Sequence, residues 1–286
     1  MSEALTGSMT TTTMPDGPGR SRRFQLRPSR RTIVIMVLRL AIFAAFLVLW
    51  TVSSGRWVDR LFVSTPADVW SKFVQWIGDG TIRFHATYTF RTVGTGLLIG
   101  SIAAVTIGYV LGVSKFWADV FEPFITAIFA TPRTALIPLF IIWVGFGSRT
   151  AVLVCSMVVF LTMFFNMFYG IRSVSPALVN SVRIMGGSWL DVALRVRLPS
   201  ALVWIVAGLR VTIPQSLVAV VTTEIIAGNR GLGFLVNRNA GQFNAAGTLA
   251  AIFTLLLLGL VLDRGLGAIT RRALRWQNDG GHAHGH

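Results

Sequence analysis

Charge is scarce in this sequence. Only 13% of its 286 residues are Asp, Glu, Lys or Arg, and 53% are hydrophobic. An ordinary soluble domain carries about 25% charged residues, so that class is excluded. Lysine is nearly absent: Lys72 and Lys115 stand alone. No GxxxxGK[ST] occurs around either, so the chain holds no phosphate loop and is not an ATPase by itself. The single cysteine, Cys155, lies in an apolar run. That excludes an intrachain disulfide and fits a buried, inert thiol. HExxH, CxxC and GxSxG are all missing. His85 is isolated, and His282, His284 and His286 alternate in a tail with nothing to hold them as metal ligands. Neither an enzyme nor a bound metal or cofactor is expected.

Acidic residues are also few, eleven against twenty-six basic ones, for a net charge of +15. Such an excess can mark nucleic-acid binding. Here the basic residues gather at the ends of apolar runs, the pattern of charges that set membrane topology, and no nucleic-acid partner is expected.

What the sequence does have is long apolar runs, which make it an all-α, polytopic membrane protein with six expected spans. Residues 1–31 are polar and then arginine-rich, a disordered tail by composition. Residues 32–85 hold the first span, Ile33 to Trp50, followed by a more polar segment. Thr65-Pro66-Ala67-Asp68 starts a helix there, with Trp70, Phe73 and Ile77 at helical spacing and Gly78 as its stop. It reads as an amphipathic helix, either lying at the membrane interface or packed on the spans.

Residues 86–270 are the core. The second span, Thr92 to Val113, repeats small residues every four positions: Gly96, Gly100, Ala104, Gly108 and Gly112. That stripe suits close helix packing. The third, Val120 to Val144, is interrupted by Pro123, Pro132 and Pro138 and carries Glu122 and Arg133. A broken span is tolerated only inside protein or along a cavity. The fourth, Thr150 to Tyr169, contains Asn166; the fifth, Leu202 to Ala227, contains Arg210, Pro214 and Glu224; the sixth begins near Ala246. Arg210 and Glu224 are fourteen positions apart, roughly 21 Å along a helix. They cannot pair within one straight helix. Arg133, Pro138, Asn166, Arg210 and Glu224 are therefore candidates for the translocation path, with interhelical ion pairs or carbonyl-capping arginines as the structural alternative. Residues 271–286 form a second tail. With both tails inside, fifteen basic residues fall on the inner side and seven on the outer, so both termini are expected in the cytoplasm.

Between spans four and five, residues 171–200 form a structured loop. Ser175-Pro176 caps one short helix, which ends at Gly186. Ser188 and Asp191 form a capping box for a second, with Trp189, Val192, Ala193 and Val196 as its apolar stripe. Arg195 and Arg197 close it, and Pro199 opens the next span. Two capped helices with an apolar face, outside the bilayer, call for something to dock on.

This loop, with Gly186 followed by Leu198-Pro199, resembles the EAA loop of permease subunits of bacterial ABC importers. STPADVW, FEPFITAIFATPRTALIPLFIIWVGFG, VRLPSALVWIVAGLR, Glu224 and the GLG of Gly231–Gly233 resemble, in order, its nitrate/sulfonate/taurine branch, which includes permeases for pyrimidine thiamine precursors and riboflavin. The resemblance covers about residues 60–276 and implies a type I importer permease fold in a bacterial inner membrane. It also implies a second copy of the chain, a cytoplasmic ABC ATPase dimer carrying ATP and Mg, and an extracytoplasmic substrate-binding protein. Arg183, Gly186, Gly187, Ser188, Trp189, Asp191 and Pro199 would couple to the ATPase. The chain departs from the pattern at Asn180, where the family usually has glutamate, and at Gly187, where alanine is usual. An ion-coupled secondary transporter or a membrane anchor for a cytoplasmic partner are the alternatives. The first needs a repeat of the broken span; the second leaves Arg133, Arg210 and Glu224 unexplained. Outer arginines (Arg83, Arg91, Arg149, Arg230, Arg238) suit an anionic solute or lipid headgroups equally.

Overall fold

The structure is a computed structural model that describes residues 30–57, 59 and 62–273. Most of the arginine-rich first tail, and Arg275 with the tail histidines, lie outside that range. The described residues fall into two units, one ending at Val48 and one starting at Leu49. Most of α1 (Arg30–Ser53) belongs to the first, and it is apolar apart from Arg30, Arg31 and Arg39 and the polar Thr32, Thr51 and Ser53.

In the second unit, α2 (Pro66–Gly78) begins where expected, and a capping box between Thr65 and Asp68 forms its start. It is not a free interfacial helix. Phe73 and Trp76 are buried in one cluster with Leu232, Leu235, Ala250 and Ala251. Next come α3 (Thr81–Val113), α4 (Lys115–Ala130), a 3-10 turn (Arg133–Leu136), α5 (Ile137–Val144) and α6 (Ser148–Arg172). Then follow α7 (Pro176–Ile184), α8 (Trp189–Asp191), a π-helical turn (Val192–Arg197), α9 (Leu198–Ala227), α10 (Leu232–Gly241) and α11 (Ala245–Ala273).

By length and composition five of these stretches can cross a membrane, and six if α4 and the segment Arg133–Val144 count as one span bent by 84°. The break falls at Thr131-Pro132, where proline cannot continue the helix. At 33 residues α3 is longer than expected, because it starts at Thr81 instead of Thr92.

Helix α6 is the axis of the unit. Its most apolar stretch is 67% buried, against 33% or less in the other spans. The small-residue stripe of α3 lies against it. A Cβ added at Gly96 would stand 2.6 Å from the Cys155 Cβ, and one at Gly100 would stand 2.7 Å from the Val159 Cβ. Gly108 meets Met167 and Gly112 meets Ile171 in the same way, at 3.1 and 3.2 Å. The pairs advance together, so α3 and α6 run parallel and in step. This follows from the broken span between them, which returns the chain to its starting side. On the far side of α6, Gly208 of α9 packs on Met163 and Asn166, while Gly170 of α6 lies under Trp204 of α9. Here the order reverses, so α9 is antiparallel to α6.

Candidate functional site

The segment between α6 and α9 is built as the sequence suggests at its first turn and differently at its second. Ser175 caps α7 by accepting from the Ala177 amide at 3.3 Å. Gly186 has φ +83°, a conformation that favours glycine. The Gly187 amide donates back to the Val182 carbonyl at 2.9 Å, and a side chain at Gly187 would strike Val182. Glycine is therefore required there, where the family pattern has alanine. The Ser188–Asp191 capping box is present, and Arg195 pairs with Asp191 at 3.3 Å. The second helix, however, is not a separate element. From Trp189 to Ala227 the chain is one continuous helical stretch. The π-helical turn widens the backbone just before Pro199, whose missing N–H and ring would otherwise conflict with an α-helical turn. Val192 and Ala193 of the expected apolar stripe are buried. Trp189 is not: it is 75% exposed, beside Ile184 at 86% and Met185 at 78%. The result is a doubly capped, exposed apolar knuckle, with Arg183 on the helix that leads into it.

At the opposite end of α9, Glu224 is 2% exposed. Its carboxylate accepts from the Thr89 hydroxyl of α3 and from the Gly233 amide at 2.9 Å. The Thr89 oxygen accepts in turn from the Leu232 amide at 2.9 Å, and the Gly231 amide donates to His85 Nδ1 at 3.0 Å. Three successive amides at the start of α10 are thus satisfied by side chains, and a carboxylate sits where the helix dipole favours it. Gly231, with φ +103°, cannot carry a side chain because a Cβ there would overlap the Glu224 carboxylate. Among the described residues Glu224 has no arginine partner, and it is buried from open space. It holds α3, α9 and α10 together.

The remaining path candidates lie around the broken span. The Arg133 guanidinium stands 4.7 Å over the Phe129 ring, and Phe129 meets Phe165 of α6 edge-on at 5.0 Å. Pro138 is exposed at the start of α5. Asn166 donates to the Thr162 carbonyl at 2.8 Å, and the Thr162 hydroxyl donates to Gln215 of α9 at 2.9 Å. Arg210 is exposed on α9 and pairs with no described residue. Asn166 and Gly208 are in contact, so α6 and α9 bring polar groups to one level, but the structure does not join Arg133, Arg210 and Glu224 in one cluster.

Sequence reasoning left out Thr162, Gln215 and Thr89 and gave His85 no role. Their hydroxyls and amide are polar groups inside apolar runs, which is a weak local signal. Only the fold reveals their partners. A further hollow of roughly 430 Å³ near the start of α3 is lined by Arg83, Arg91 and Arg230, with Thr87 and Tyr88 between them. Arg230 lies 5.7 Å over the Phe84 ring.

Comparison with known proteins places this architecture. Residues 96–275 match the family described as "Binding-protein-dependent transport system inner membrane component". The chain is 29% identical over 266 residues to the taurine transport system permease protein TauC of Escherichia coli (strain K12), covering 91% of this chain and 96% of that one. It is 27% identical to the putative aliphatic sulfonates transport permease protein SsuC of Bacillus subtilis (strain 168), over 82% of this chain and 86% of that one. With the riboflavin transport system permease protein RibX of Chloroflexus aurantiacus it shares 30% identity over 74% of this chain and 80% of that one. The fold matches a chain of the MetNI methionine ABC transporter in inward-facing conformations, with a TM-score of 0.55 and 18% identity, covering 70% of this chain and 97% of that one.

Proposed function

The chain belongs to the family of binding-protein-dependent transport inner-membrane components, and on that premise we propose that it is the transmembrane permease of an ATP-driven importer for a small solute. A cytoplasmic ABC ATPase dimer, binding ATP and Mg, supplies the energy, and an extracytoplasmic binding protein delivers the solute. A second copy of the chain completes the passage. Both termini face the cytoplasm, as the arginine distribution favours.

The observation that carries this reading is the knuckle at Trp189. Apolar side chains this exposed, on a segment stiffened by two caps and continuous with a span, fit a groove on a partner. Arg183, Gly186, Gly187, Ser188, Asp191 and Pro199 give the knuckle its shape and Trp189 anchors it. Arg133, Pro138, Asn166 and Arg210 border the passage, and Glu224 fixes the corner that frames it. The solute is a sulfonate, taurine, nitrate or a related small anion or vitamin precursor, with the sulfonate group favoured. Relatives named for taurine and aliphatic sulfonates support this, as does the hollow lined by Arg83, Arg91 and Arg230.

Capture of the ATPase subunit by the tagged permease tests the reading. Trp189→Ala removes an anchor of the kind that is worth about 2 kcal/mol at an interface, which is about thirtyfold in affinity. Gly186→Pro forbids the positive φ found there. Both variants should insert normally yet lose ATPase capture or ATP-driven uptake, while Arg275→Ala should do neither. Normal capture, hydrolysis and uptake in both would end the coupling role of this segment.

A further inference from the structure

Where α3 and α6 finish, a cavity of roughly 310 Å³ opens to the surface. Lys115, Arg172, Arg183 and Arg197 line it, and its wall contains no acidic residue. These cations come from separate elements: the first residue of α4, the last of α6, α7, and the turn before α9. Arg172 is partly neutralised by Asp119 at 3.5 Å and Glu122 at 3.8 Å. Arg197 donates to the Val113 carbonyl at 3.2 Å, which fixes its place without neutralising it. Among the described residues, Lys115 and Arg183 have no carboxylate within ion-pair distance. Both α4 and α7 begin on this wall, at Lys115 and Pro176, and their N-terminal ends add partial positive charge.

Asn180 completes the wall. It stands where the importer resemblance leads one to expect glutamate. A carboxylate there would offset part of the cluster, and an amide does not. Cations gathered in one cavity repel each other unless an anion joins them.

We propose that this cavity binds the phosphate group of an anionic membrane phospholipid. The location favours a lipid over a soluble ion. The cavity lies at the end of membrane-spanning helices, and the exposed rings of Phe116 and Trp117 follow directly on Lys115. Aromatic residues of this kind occupy the headgroup level of a bilayer. Basic pockets between spans are suited to lipid phosphates, which a cation cluster holds by charge and hydrogen bonds together. The cavity shares Arg183 with the loop assigned to ATPase coupling, but the lipid reading does not need that assignment and does not depend on which side of the membrane the cavity occupies.

The test uses the purified full-length chain, stripped of lipid in a neutral detergent. Its thermal melting is followed while phosphatidylglycerol, phosphatidylcholine or inorganic phosphate is added, and retained lipid is weighed by native mass spectrometry. Phosphatidylglycerol should raise the melting temperature and remain bound; the other two should do neither. Asn180→Glu supplies the missing carboxylate from within and should weaken phosphatidylglycerol binding at least about tenfold, or about 1.4 kcal/mol, without lowering the lipid-free melting point. Lys115→Gln, on an exposed side chain, should weaken it in the same direction and keeps the test alive should Asn180→Glu misfold. Equal stabilisation by phosphatidylcholine would overturn the proposal. So would an equal effect of inorganic phosphate, which would make the site one for a free anion. An undiminished phosphatidylglycerol response in both variants would place the lipid elsewhere. Displacement of the lipid by the ATPase subunit, with ATPase capture lost in Asn180→Glu, would assign the cavity to an acidic group of that partner instead.

Discussion

The hydroxyl of Thr89 lies 2.9 and 3.0 Å from the two carboxylate oxygens of Glu224, although 135 positions separate the residues. The same hydroxyl accepts from the Leu232 amide, so a single side chain links α3, α9 and α10. Thr89→Val keeps the shape but leaves a buried carboxylate short of a donor and an amide short of an acceptor. Such losses cost about 1–3 kcal/mol. The variant should melt several degrees lower, whereas Thr95→Val, whose hydroxyl only returns to the Arg91 carbonyl of its own helix, should melt as the parent does.

The contact of α3 with α6 gives a sharper contrast. At Gly100 a Cβ would meet the Ser156 carbonyl oxygen at 2.6 Å, while at Gly94, on the same helix, it would meet nothing within 4 Å. Gly100→Ala should therefore reduce the yield of folded protein and its melting temperature. Gly94→Ala should raise stability slightly, since alanine is the better helix former. Equal behaviour of the two would mean that α3 and α6 do not meet through this stripe.

Arg133 sits on the turn that breaks the third span, stacked on Phe129. Arg133→Ala should still capture its ATPase but lose most uptake in proteoliposomes. Full uptake at equal expression would remove Arg133 from the passage.

Sidedness can be read with an impermeant thiol reagent. The single native cysteine, Cys155, is buried, so it contributes little background. Cysteines placed at Asp59 and Asn237 should react in intact cells and one at Asp279 should not. Labelling at Asp279 would place that tail outside.

Those features of the fold that are local in sequence were legible in it. The helix start at Thr65, the capping box at Ser188, the prolines of the third span and the four-residue repeat from Gly96 each act within a turn or two of the chain. Their signals are written side by side. The corner at Glu224 was visible only as a charge in need of a partner. Its partners are a threonine hydroxyl on a distant helix and a backbone amide, and neither type announces itself in an apolar run. Arg210 was equally visible as a charge, yet it finds no described partner in the single chain. The fusion of the loop's second helix with α9 was hidden for another reason. Pro199 reads as a helix start, and only the π-helical turn before it lets the helix run through.

That fusion has a mechanical consequence. The stretch from Trp189 to Ala227 has 39 residues, roughly 58 Å of helix. It is gripped near its middle, where Trp204 covers Gly170 and Gly208 seats on Met163 and Asn166. A helix held at such a fulcrum would carry a push on its tip as a lever does, with the π-helical turn and Pro214 as its two points of give. Displacement of the Trp189 tip would then load the Glu224 corner, where α3 and α10 are tied to it. One stroke delivered at the knuckle would be felt at both ends of the bundle, and the two ends would need no separate signal.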